Sequence, residues 1–140
     1  MNEPCLAERA EQEIYDLHRF LTDWFNGDAP DYAAFVERRF SAFDPAFFYI
    51  TPAGVLRSLD FFSRWASTSR GSQPGTAIEI RNVTVRRETP TSVLLTYEEH
   101  QTWTGGDSHR LSSVLFVVKP DAPNGVGWFH LHEVWLPDEQ

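Results

Sequence analysis

Val126 to Pro137 reads VGWFHLHEVWLP, a run that sets two tryptophans, two histidines and a glutamate among otherwise apolar residues. Side chains alternate along a strand, so Trp128, His130, His132 and Val134 are predicted to share one face, and Phe129, Leu131, Glu133 and Trp135 the other. Each face then mixes bulky apolar groups with a titratable one, unlike a strand with one wet side, where the two kinds separate. The stretch is therefore predicted to be a central strand of a curved sheet, packed on both faces and lining a cavity on one.

Working backwards from it, the two-residue period persists to Ala77. Strands are predicted over 77–87, 92–103 and 109–119, with Gly105-Gly106 closing a hairpin between the second and third. In the first of these the apolar phase slips from Ile78 and Ile80 to Val83 and Val85. One extra residue near Arg81-Asn82 restores the pattern, which predicts a β-bulge.

Ahead of residue 77 the period lengthens. Ile14, Leu17, Leu21, Trp24 and Phe25 form one helical stripe over 6–26, stopped by Gly27, with Asn2 and Pro4 as an earlier possible start. A second helix is predicted over 30–42, with Asp28 as cap, Pro30 in the first turn, and Tyr32, Phe35, Val36 and Phe40 buried. Phe47 to Thr51 reads as a strand, Pro52-Ala-Gly54 as a turn and Val55-Leu56 as a short return. Ser58 caps a third helix over 59–68 that buries Leu59, Phe62, Trp65 and Ala66. Helices first and a strand meander afterwards is an α+β order, and the short late connections favour antiparallel pairing. The fold expected is one domain over 1–140, a strongly bent antiparallel sheet with three helices on its concave side.

The totals narrow the function classes. With 140 residues, 41% hydrophobic and 23% charged, the chain can bury a core of its own. Eleven Phe and five Trp suit a cavity walled by rings. A net charge of −8 argues against a general nucleic-acid binder, whose affinity comes from clustered Lys and Arg. A single cysteine, Cys5, permits no internal disulfide. No apolar run is long enough to span a bilayer and no leader pattern is evident, so a cytoplasmic protein is expected.

Five segments together carry a family likeness: EIYDLHRFLTDWF (13–25), FFYITPAG (47–54), SLDFFSRW (58–65), RLSSVLF (110–116) and GWFHLHEVWLP (127–137). Over nearly its whole length the chain resembles the nuclear transport factor two-like superfamily, the cone-shaped fold that includes SnoaL-like proteins. It also resembles the association domain of calcium/calmodulin-dependent kinases. The His repeated two positions on in many members is displaced here, since residue 134 is Val and the pair is His130 and His132. The resemblance implies an apolar pocket for a small apolar or aromatic ligand, and a homodimer packed through the sheet. Its members include isomerases, cyclases, dehydratases, assembly domains and carriers, so it implies no single activity. By analogy with the kinase domain, the pocket face would carry Thr96, Glu98, His100, Ser113, Leu115, Leu131, Glu133 and Trp135, with Tyr49, Phe62 and Trp65 as further walls.

Among these, Glu133, between Leu131 and Trp135, is the leading candidate for proton transfer, because a carboxyl desolvated among rings can act as general acid or base. Its alternatives are a salt bridge to Arg110 or Arg81, or a rim carboxylate in water. Glu98 is the second candidate, with His100 or Tyr49 orienting the substrate. No Asp stands where steroid-isomerase members place theirs, so isomerase roles find no match. His130 and His132 with Glu98 or His100 have the spacing of a metal site but equally that of satisfied sheet histidines. No metal or cofactor is assigned. Two functions are open: a cofactor-independent acid–base enzyme, or a non-catalytic module that binds a ligand or assembles through its sheet.

Overall fold

The computed structural model describes residues 4–137; Asn2, the earlier helix start, lies outside them. The elements are α1 (Leu6–Asn26), α2 (Ala33–Phe40), β1 (Phe43–Ile50), β2 (Leu56–Ser58), α3 (Leu59–Thr68), β3 (Ala77–Glu88), β4 (Ser92–Trp103), β5 (Gly106–Val118) and β6 (Val126–Trp135). The strands form one open sheet ordered β2-β1-β6-β5-β4-β3, with α1 against β3, β4 and β6 and α3 against β1 and β2. β6 is central, as its sequence requires.

The sheet is mixed. Neighbouring strands run antiparallel except β1 and β6, which pair in parallel through Phe48 with His130 and Tyr49 with Leu131. A parallel neighbour needs a long connection, and here α3 and the whole meander provide it. β1 begins earlier than predicted, at Phe43, and its register on β6 shifts between Phe43 and Phe48. That irregular span contains Pro45, which cannot donate to a ladder.

The bulge expected near Arg81-Asn82 is present: the β3–β4 register shifts between Arg81 and Thr84, and Asn82 has φ 57°. Two further bulges were not legible, one in β3, where the register shifts again between Val85 and Arg87, and one in β6. In β6, His130 faces Leu115 and Trp128 faces Phe116, so Phe129 is the extra residue. It overturns the strict alternation, moving Trp128 onto the face of Leu131 and Glu133.

Gly27 ends α1 in the left-handed conformation (φ 77°), and Asp28 donates its backbone N–H to the Asp23 carbonyl. Asp28 is thereby part of the α1 stop rather than the cap of α2. That helix starts three residues later than predicted, behind Tyr32, which is exposed. Ser58 does cap α3, accepting from the Phe61 N–H.

Ala10, Ile14, Leu17, Trp24 and Phe25 of α1 bury against Phe43, Phe47, Val93, Leu95, Val114, Phe116 and Trp128. Trp24 Nε1 donates to the Ala66 carbonyl at 2.7 Å and fixes α1 to α3. The Trp128 indole donates to Glu13, which also accepts from Asn124 and pairs with Arg39. Burial raises the Glu13 pKa and Arg39 only partly opposes it. This carboxylate joins α1, α2, β6 and the β5–β6 loop. Among the described residues no helix is long and apolar enough to cross a membrane.

Candidate functional site

Between α1, α3 and the concave face of the sheet lies a cavity of about 410 Å³. That volume suits a small organic molecule. Its apolar wall comes from Leu21 and Phe25 of α1, Phe61, Phe62 and Trp65 of α3, and Phe43, Phe47 and Trp128 of the sheet. The helical spacing of Phe62 and Trp65 sets both rings inward and stacks them with centroids 5.5 Å apart. Phe61 and Trp65 stay partly exposed.

The floor is polar, and the sheet register assembles it. Tyr49 faces Leu131 on β6, Ser112 faces Glu133, Tyr97 faces Ser112, and Glu99 faces Arg110. Paired residues lie on the same face, so these side chains share one face across four strands. Glu133 is 4% exposed. Its Oε1 accepts from Tyr49 Oη at 2.7 Å and from Arg110 Nη1 at 2.8 Å, and its Oε2 accepts from the Ser112 hydroxyl. Arg110 reaches Tyr49 Oη as well, at 3.0 Å, and its Nε stands 3.6 Å from Glu99. The salt bridge from Glu133 to Arg110, foreseen as the alternative role, is present. Arg110 stays cationic because the two glutamates outweigh its desolvation, while burial and then Glu133 push the Tyr49 phenol far up.

α1 adds a charged partner that the sequence reading missed. His18 donates Nδ1–H to the Ile14 carbonyl at 2.7 Å, and its Nε2 lies 2.7 Å from Glu99 Oε1. A carbonyl only accepts, so Nδ1 carries a hydrogen, and the Glu99 contact needs another. Burial lowers the His18 pKa, but Glu99 more than reverses this and the net shift is upward. For Glu99 burial raises the pKa, and His18 and Arg110 together bring it below its ordinary value. The pair is ionic. Its signal in the sequence was His18 on the buried stripe, one residue after Leu17.

Two polar groups on this floor lack a hydrogen bond of good geometry, Arg110 Nε, which stands 3.6 Å from Glu99, and the Tyr97 hydroxyl. Tyr97 is 1% exposed, and its Oη has no hydrogen-bond partner of good geometry, the neighbouring Ser112 hydroxyl being turned to Glu133. Burial raises its pKa well above the ordinary phenol value.

The structure thus gathers Tyr49, Phe62, Trp65, Leu131 and Glu133 around one cavity. It does not bring Glu98, His100, Ser113 and Leu115 there. The cavity face of β4 is Tyr97, Glu99 and Gln101, and that of β5 is Arg110 and Ser112, one residue out of phase with the analogy. Trp135 lies past the end of the cavity, 54% exposed, beneath the Arg110 guanidinium at 5.0 Å. Among the described residues no three His, Cys, Asp or Glu side chains converge to hold a metal.

No protein-family model and no curated protein matches the chain. Solved structures do. An NTF-2 like protein of unknown function from Pseudomonas aeruginosa is 26% identical, with a TM-score of 0.83 over 92% of this chain and 99% of its own. The CaMKII hub of S. rosetta superposes with TM-score 0.71 at 15% identity, over 96% of this chain and all of that one. A candidate dehydratase of the NTF2-like family from Streptomyces avermitilis gives 0.64 at 15%, over 91% and 96%.

Proposed function

The chain belongs by its fold to the NTF2-like superfamily, and from that premise we propose that it binds a small, neutral, largely apolar molecule with one hydrogen-bond acceptor, such as a carbonyl or ether oxygen. One observation carries the proposal: the Tyr97 hydroxyl is buried on the cavity floor with no hydrogen bond of good geometry, the one group beside it being the Ser112 hydroxyl, which is itself bound to Glu133. Leaving such a donor unmade costs about 1–3 kcal/mol, and a ligand oxygen would recover it. Neutrality follows from the floor's own balance. Glu99 and Glu133 face His18 and Arg110, so no charge is left over for an ionic ligand.

Tyr97→Phe separates binding from folding. The variant is expected to melt at the same or a higher temperature, since it removes an unsatisfied buried hydroxyl. Its affinity for a neutral aromatic ketone, with acetophenone as probe in ligand-observed NMR, is expected to fall about tenfold, one hydrogen bond's worth. Ethylbenzene and benzoate should bind the wild type less well than acetophenone. Equal binding of all three, or a Tyr97→Phe variant that loses stability and keeps affinity, defeats the proposal.

A second function is favoured by the His18–Glu99 pair, which sets a proton donor and an acceptor side by side on the cavity floor. It is cofactor-independent proton transfer on such a ligand, with Glu133 held as a positioning carboxylate by Tyr49, Ser112 and Arg110. Exchange of acetophenone methyl protons in D2O, faster with wild type than with Glu99→Gln, would support it. Equal rates would leave a binding protein. Hub domains are among the structures the chain resembles, and we further propose a homodimer formed through the convex face of the sheet.

A further inference from the structure

On the convex face, away from the cavity, two adjacent strands repeat one pattern: Glu98-x-His100 on β4 and Asp107-x-His109 on β5. His100 and His109 are directly opposite in register. Their Nδ1 atoms meet at 2.8 Å, and their Nε2 atoms point away, His100 to Glu98 at 2.9 Å and His109 to Asp107 at 3.0 Å. The result is a line of carboxylate, imidazole, imidazole and carboxylate.

Each contact in that line needs one hydrogen. A carboxylate accepts, so both Nε2 atoms donate outward, and a single proton lies between two Nδ1 lone pairs. Metal-ligating histidines are held in the same way, with the far ring nitrogen donating to a carboxylate that fixes the tautomer and makes the near nitrogen more basic.

We propose that His100 and His109 bind a divalent late first-row cation, Zn2+ or its neighbours, through their Nδ1 atoms in place of the shared proton. Imidazole nitrogens suit these ions. Zinc–nitrogen bonds of about 2.0–2.1 Å in a tetrahedral site set two nitrogens roughly 3.3 Å apart. The rings need to separate by only about half an ångström from their hydrogen-bonded spacing. Two protein ligands leave the remaining positions to water or an added ligand. A cleft bounded by Arg81, Trp135 and Leu136 beside the pair gives them room. Glu98 and Asp107 bring the charge to balance: two carboxylates against one divalent ion.

Calorimetric titration of the full chain with ZnCl2 tests the site. Expected is saturable binding of one ion per chain, read from the stoichiometry of the heat. Replacing zinc with CoCl2 should give a visible band. Asp107→Asn should weaken zinc binding about 10- to 100-fold. His109→Ala, a change at a part-exposed position, should abolish it. The double variant His130→Ala/His132→Ala should bind as wild type does, which separates this site from the other histidines of the same face. Absence of saturable binding overturns the proposal. So does binding that survives His109→Ala, or binding lost only in the His130/His132 variant.

Discussion

His18 is a histidine on a helix whose other buried side chains, Glu13 apart, are apolar, and its place there depends on Glu99. The two partners shift in opposite directions, and each shift has its own pH window. His18 is raised above 6.5, so its contribution to stability is fully present below that value and is lost as pH rises through the folded value. Glu99 is lowered below 4.5, so its contribution is present above that value and is lost as pH falls through the folded one. Both hold between about pH 4.5 and 6.5. Arg110, Glu133 and Tyr97 face the same pair from β5, β6 and β4, and Arg110 keeps a cation beside Glu99 after His18 loses its proton. Urea midpoints measured across pH should therefore peak in that window and decline above it. Glu99→Gln should flatten the decline and cost about 3–5 kcal/mol at pH 6, as expected when one partner of a buried ion pair is removed. An unchanged profile in Glu99→Gln would show that the pair does not set the pH dependence. At this scale the sequence named Tyr49, Phe62, Trp65, Leu131 and Glu133 but not Tyr97, Glu99 and Arg110 as cavity residues, because which residue of each strand turns inward depends on register, nor His18, whose partner Glu99 lies 81 residues away on another element.

Register was lost in β3 past Val85, in β6 at Phe129, and on the β4–β5 pair. Phe129 stands where both faces of the strand mix apolar and titratable residues, so its bulge leaves no visible break in the alternation. The first bulge in β3 was legible because isoleucines and valines change phase across Asn82. The pocket-face analogy on β4 and β5 was displaced by one residue, which turned Glu98, His100, Ser113 and Leu115 outward, since a one-step slip exchanges the faces of a strand. The helices were easier: each apolar stripe survives an error of a residue or two at its ends. Even so, Asp28 was assigned to the wrong helix because one short loop serves both. That first β3 bulge supports a prediction of its own. Asn82 holds φ 57°, a conformation that Asn and Gly accept and that costs other residues about 1–2 kcal/mol. Its side chain also donates to Glu98 at 2.6 Å. Asn82→Gly should lose the second contribution only, and Asn82→Val both. Chemical denaturation should rank wild type, then Gly, then Val, with Val lowest by about 1–2 kcal/mol. A Val variant as stable as the Gly variant would mean that the bulge relaxes.

At the scale of the whole molecule, the two faces of the sheet are suited to different work, and β6 serves both. Glu133 turns into the cavity, while Val134, the next residue, turns out and is 45% exposed. Opposite Val134 stands Leu111, and Phe48 flanks the same face across His130; both are also exposed. Neighbouring apolar side chains left in water on a central part of a sheet mark an interaction surface. A two-fold dimer would use that surface on both copies, so each substitution there acts twice. Leu111→Lys with Val134→Lys is therefore expected to convert a dimer into a monomer in analytical ultracentrifugation. Acetophenone binding should stay within about twofold of wild type, because neither side chain reaches the cavity and a twofold change is well below one hydrogen bond. A wild type that sediments as a monomer at every concentration would refute the dimer outright. A double variant that dissociates and also loses ligand would instead show that the cavity keeps its shape only when two sheets hold each other, tying binding to assembly in one structure.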